Sequence, residues 1–107
     1  MKDLDEKWNQ LIKKLEKQFK EEISLKGILY LIGVQELNFG FANFEREEKI
    51  NVLHVATCKL LSRYGYYKFD RIDSDGWPHY VEVKALQNLS EKDQEILIKT
   101  AIVEYLN

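Results

Sequence analysis

The sequence predicts a mainly α fold: about four helices in a small bundle, with a short β-hairpin or extended ribbon between helices three and four. Three observations carry this. Leu4, Trp8, Leu11, Ile12, Leu15 and Phe19 recur at helical spacing. Residues 90–106 begin on the cap signal S-E-K-D and continue as an apolar helical run. Between Gly65 and Lys84 the pattern changes to aromatic and β-branched runs on either side of S-D-G, the signature of strands around a turn.

In helix one, Asp3 stands where a cap belongs and Glu6 follows three later, as in a capping box. Asp3–Lys7 and Glu16–Lys20 have the spacing of favourable ion pairs. Lys13, Lys17 and Lys20 share a stripe flanked by Glu16 and Glu21, which reads as a solvated face. The second segment, S-L-K-G-I-L-Y-L-I-G-V-Q-E-L, fits a buried helix or a buried strand by periodicity. Its uninterrupted length to Leu37 favours a helix. Gly27 and Gly33 each cost such a helix about 1 kcal/mol, tolerable where a neighbour packs closely. The linker N-F-G-F-A-N-F, residues 38–44, gathers Phe39, Phe41 and Phe44, expected to seal one end of the core.

Helix three is expected to start near residues 43–45 and to be the central one. Glu45, Glu47 and Glu48 crowd its first turn, where the helix dipole favours carboxylates. Ile50, Leu53, Val55, Ala56, Cys58, Leu60 and Leu61 spread apolar character around it, and Gly65 is placed to end it in a left-handed conformation. Y-Y-K-F-D-R-I-D and W-P-H-Y-V-E-V-K then form the ribbon, with Pro78 confining its run to an edge strand. Ser90 caps helix four, whose apolar band is wider than a small bundle requires.

Composition bounds the function classes. The 107 residues suit one globular domain, residues 1–107, and a 45% hydrophobic fraction supplies a core. Sixteen basic residues against 18 acidic ones give a net charge of −2, no electrostatic basis for binding nucleic acid or anionic lipid. The lone Cys58 forms no intrachain disulfide and suits a reducing, cytoplasmic setting. The N-terminus lacks the apolar stretch of a secretory signal. The longest apolar run, residues 28–34, falls well short of the roughly 20 residues of a membrane span.

Four constellations are candidates for chemistry. D-S-D-G, residues 73–76, superficially resembles a calcium loop, with Asp73 and Asp75 at the third and fifth positions and Glu82 at the twelfth. The first position would be Arg71, a cation, and the eighth Pro78, so a turn held by its own aspartates fits better. His54 and Cys58 lie four apart on helix three, a spacing that binds zinc if further ligands converge. His79, Glu36 and the turn aspartates are the candidates. An antiparallel pairing of helices two and three places Glu36 nearer Arg46 than His54. The residues themselves read more simply as a core-facing histidine and a small buried hydrophobe. Burial would also keep Cys58 from acting as a nucleophile. The fourth constellation is the aromatic group Tyr64, Tyr66, Tyr67, Phe69, Trp77 and Tyr80. A two-stranded ribbon buries only one face on a bundle, so some of these rings either close the core or face a partner.

The stretches V-Q-E-L (34–37), E-K-I-N-V-L-H-V-A-T-C (48–58), G-Y-Y (65–67) and D-G-W-P-H-Y (75–80) resemble a small family of bacterial proteins of unassigned activity. The resemblance implies a single-domain bacterial cytoplasmic protein and brings no activity, cofactor or site.

The functional expectation is therefore a non-enzymatic interaction or regulatory module. It would self-associate through the apolar face of helix four or helix two, with a further protein partner as a second use. The recognition surface would comprise Tyr66, Tyr67, Asp73, Asp75, Trp77, His79 and Tyr80. The alternative is a metal- or ligand-binding protein or small enzyme using His54, Cys58 and His79. No cofactor is predicted, and neither reading involves nucleic acid or a membrane.

Overall fold

The computed structural model describes residues 2–37 and 44–106, apart from the side chain of Lys2. Within them the order is α1 (Lys2–Phe19), α2 (Leu25–Leu37), α3 (Arg46–Ser62), β1 (Tyr67–Ile72), β2 (Pro78–Glu82), a 3₁₀ turn (Leu86–Asn88) and α4 (Glu91–Leu106). The expected mainly helical fold, with a hairpin between helices three and four, is what the chain forms. Phe39, Phe41 and the expected start of helix three at Asn43 lie outside the described residues.

Helix ends follow the local chemistry, with two corrections. α1 begins at Lys2, so Asp3 sits inside its first turn rather than capping it. Lys20 lies beyond the helix with φ 58°, and Glu16 accepts instead from the Ile23 N–H at 3.2 Å. The expected Glu16–Lys20 pair gives way because the helix has already ended. Ser24 opens α2, its Oγ accepting from the Gly27 N–H. Glu45 caps α3, and its N–H donates to Glu48 Oε1 at 2.9 Å. α3 closes at Ser62 through Tyr66 N–H to Leu61 O and Gly65 N–H to Ser62 O, a Schellman pair with Gly65 at φ 83°. Ser90 Oγ accepts from the Asp93 N–H, the expected cap of α4.

α3 is the hub: α2, α4 and both strands pack on it, while α1 lies on α4. The main core joins Ile28, Ile32, Ala56, Leu60, Leu61, Ala101 and Ile102. A second cluster, Leu37, Val52 and Val55, is covered by Tyr30, Val34, Phe44 and Trp77. Gly33 decides how closely α2 approaches α3. A Cβ there would lie 2.3 Å from the Val52 carbonyl oxygen, so only glycine fits this crossing. The crossing also corrects the expected helical register. Glu36 reaches Lys59, at 3.7 Å, and accepts from the Tyr105 hydroxyl, rather than lying beside Arg46. Burial, then that bond to Glu36, pushes the Tyr105 phenol up to about 12. At the same C-terminal end of α3, the Tyr64 hydroxyl donates to Glu104 at 2.6 Å and ties it to α4.

No large apolar side chain of α4 is exposed: its wide band is taken up by α3 and α1. Ile50, read as part of the central helix's apolar surface, is 62% exposed. Among the described residues, no helix is long and apolar enough to cross a membrane.

Candidate functional site

β1 and β2 pair antiparallel, with Tyr67 opposite Glu82, Lys68 opposite Val81 and Phe69 opposite Tyr80. Because side chains alternate, Tyr67, Phe69, Tyr80 and Glu82 share one face, and Lys68 and Val81 the other. The register shifts between Phe69 and Arg71, a bulge at Asp70 that increases the local twist.

The loop at the tip is longer than a two-residue turn. Gly76 N–H donates to Asp73 O at 3.0 Å, Asp73 N–H donates to Trp77 O at 2.9 Å, and Gly76 has φ 89°. This is a three-residue loop with glycine in the left-handed position. Asp73 organises it. Its Oδ1 accepts from the N–H groups of Asp75 and Trp77, at 2.9 and 3.0 Å, and its Oδ2 from the His79 imidazole at 2.8 Å. The His79 bond, followed by the Trp77 N–H, holds the Asp73 carboxyl below the usual carboxylate range. Both oxygens are thus engaged by the loop itself, which holds D-S-D-G as a turn.

Beneath the tip, a groove of about 430 Å³ separates the hairpin from α3. Glu48, Asn51 and His54 line it from α3, and Asp73, Asp75, Trp77, His79 and Tyr80 line it from the hairpin. The structure therefore brings both histidines to one groove. His54 departs from expectation: it is exposed rather than core-facing, its ring standing edge-on to Tyr67 with centroids 6.3 Å apart. Cys58 lies one turn further and fully buried, its Sγ 3.4 Å from His54 Nε2. Burial pushes the thiol up to about 11, so it stays protonated at neutral pH and can donate to that nitrogen. Among the described residues, no group of three or more His, Cys, Asp or Glu is placed to hold a metal ion. His79 is turned to Asp73, while Cys58 faces the core.

The other candidate residues divide between core and surface. Tyr66 and Tyr67 are half-buried against the main core, and Lys84 Nζ stands 5.1 Å over the Tyr66 ring. Trp77 covers the second cluster and meets Phe44 edge-on, with centroids 6.0 Å apart. Asp75 is exposed at the tip. Tyr80 is half-buried opposite Phe69, with centroids 5.7 Å apart. The most exposed apolar side chains here are others: Phe69 (50%), Ile72 (63%), Val81 (52%) and Val83 (59%). Sequence reading placed Phe69 in the aromatic group but singled out neither Ile72 nor the valines. The signal lay in the alternation H-Y-V-E-V: with apolar residues on both faces, one face had to remain in water.

The chain matches no family model, no curated protein and no solved structure.

Proposed function

We propose that this protein is a non-enzymatic interaction module that self-associates through its β-hairpin. One observation carries the reading. Of the seven exposed large apolar side chains among the described residues, Phe69, Ile72, Val81 and Val83 belong to the hairpin or to the residue that leaves it. Among the described residues the hairpin is a two-stranded sheet, so both of its outer edges present backbone groups that pair there with no further strand. Exposed apolar side chains on both faces of the ribbon, Phe69 on one and Val81 on the other, beside its strand edges are what a second copy can cover. The inert thiol at Cys58 favours binding over nucleophilic chemistry, and a buried free cysteine agrees with a cytoplasmic setting.

The test is sedimentation velocity across roughly 1–100 μM, a range that brackets micromolar association. The native chain is expected to shift from monomer to dimer. The double substitution Phe69→Ser with Val81→Ser should leave it monomeric, with unchanged helical circular dichroism. A native chain that stays monomeric over the whole range would overturn the proposal.

A further inference from the structure

α3 carries a second groove, on a face away from the hairpin. Glu48, Asn51 and Val55 line the groove beneath the tip. Arg46, Lys49, Ile50 and Leu53 follow the i, i+3, i+4, i+7 spacing of a different stripe. They form one wall of a groove of about 520 Å³, and the start of α2, with Ser24, Lys26 and Tyr30, forms the other. That volume lies within the roughly 300–1,000 Å³ of small-molecule sites.

The lining is cationic and apolar at once. Lys26, Arg46 and Lys49 border it, and among the described residues no carboxylate does. All three cations are exposed, and among the described residues none of them makes an ion pair. Helix stability does not account for their placement. Arg46 is the first residue of α3, and Lys26 stands in a first turn of α2 that holds no acidic residue, where the helix dipole disfavours a cation. The apolar part is the Tyr30 ring, set edge-on to Phe44, with Leu53 and the exposed Ile50. Ser24 Oγ accepts from the Gly27 N–H, which leaves its hydroxyl hydrogen to donate.

We infer that this groove binds a small phosphate monoester with an apolar body. A dianionic phosphate answers three cations better than a single carboxylate does, and the Arg46 fork suits its oxygens. Tyr30, Ile50 and Leu53 take the body. The acids nearby favour a compact ligand over an extended anionic surface. Glu21 and Glu22 line the adjoining cleft that shares Ser24 and Tyr30, and Glu45 and Glu47 flank Arg46 in the chain. A membrane or a nucleic acid would meet those carboxylates as well as the cations. The site is independent of hairpin association, which uses other residues.

The probe is naphthyl phosphate, compared with naphthol, which lacks the charge, and with inorganic phosphate, which lacks the body. Calorimetric titration belongs above the monoester's second pKa of about 6, where the phosphate is dianionic. Saturable binding is expected, at least about tenfold tighter than for either control and weakening as salt rises. Arg46→Gln should lower the affinity about tenfold, and Lys49→Gln and Ile50→Ser each by a smaller factor, with circular dichroism unchanged. Lys14→Gln, a lysine outside the groove, and the Phe69→Ser, Val81→Ser chain should bind as the native chain does. If the native chain stays monomeric but binds the probe in this way, only the hairpin reading falls. No saturable binding, a control that binds as tightly as naphthyl phosphate, or an indifferent Arg46→Gln variant would overturn the inference. So would sedimentation with phosphatidylcholine–phosphatidylserine vesicles that Arg46→Gln abolishes, since the groove would then serve a lipid surface.

Discussion

The α2–α3 crossing and the hairpin both rest on α3, but they use it in opposite ways. At the crossing, the Gly33 backbone lies against the Val52 carbonyl, and Val52, Val55 and Leu37 are buried. At the hairpin, only part of the ribbon reaches the helix. Tyr67, Trp77 and Tyr80 are half-buried, while Phe69, Ile72 and Val81 stand half or more in water. The difference follows from geometry. Two helices can bury stripes against each other along their length, whereas a twisted two-stranded ribbon touches a helix with one face and over a short span. The crossing therefore concentrates stability and the hairpin offers surface.

The largest expected effect breaks the crossing. Gly33→Ala forces its Cβ against a backbone oxygen that cannot rotate away, so the helices must separate. The loss should reach the upper end of overpacking costs, about 3 kcal/mol. A thermal melt should then show Tm lower by roughly 12–24 °C, given roughly 4–8 °C per kcal/mol in a domain of this size. A change under roughly 4 °C would mean that the crossing is not the stabilising contact it looks like.

A smaller effect tests where crossing and hairpin meet. Trp77 covers Val52 and Val55 from the hairpin side, but it is only half-buried. Trp77→Ala should cost about 2 kcal/mol, below the roughly 3–5 kcal/mol of a fully buried aromatic. Urea unfolding should show this as a lower midpoint at unchanged slope, with self-association largely retained. Lost association with unchanged stability would move Trp77 from core to interface.

The smallest effect belongs to the tip. The Asp73 carboxyl is held low in the folded chain, chiefly by His79. Its contribution is therefore complete above the unfolded-state carboxylate value of about 3.9 and is lost as pH falls through the lower folded value. Amide exchange at Trp77 should quicken over that acidic window, while α3 amides change little. Asp73→Asn should abolish the pH dependence at Trp77. If Trp77 and α3 respond together, the tip does not open separately from the bundle.

Much of this was legible in the residues. The helical stripes, the Ser90 cap, the Gly65 terminus and the glycine turn are each fixed by contacts within a few positions. Cys58 could be read as buried and unreactive because it sits among apolar neighbours on one helix. Other features were not readable in the same way. Glu36 finds Lys59 and Tyr105, and His54 lies in water beside the tip, because those outcomes depend on how α2 crosses α3 and on where the ribbon lands. The apolar rim left at Ile72, Val81 and Val83 depends on which strand face the bundle covers. Lys13, Lys17 and Lys20, read as a solvated stripe, are all exposed, an outcome local spacing was enough to give.

By itself, then, the sequence determined the order of helices and ribbon and several of their ends, at Ser90 and Gly65 among them. These are near-neighbour matters of hydrogen bonding, backbone freedom and periodicity. The tertiary structure alone decided which of two chemically similar faces each element buries, and therefore which apolar residues remain exposed. Side-chain spacing sets the candidate faces, but the burial of one against another is a competition among all the elements at once.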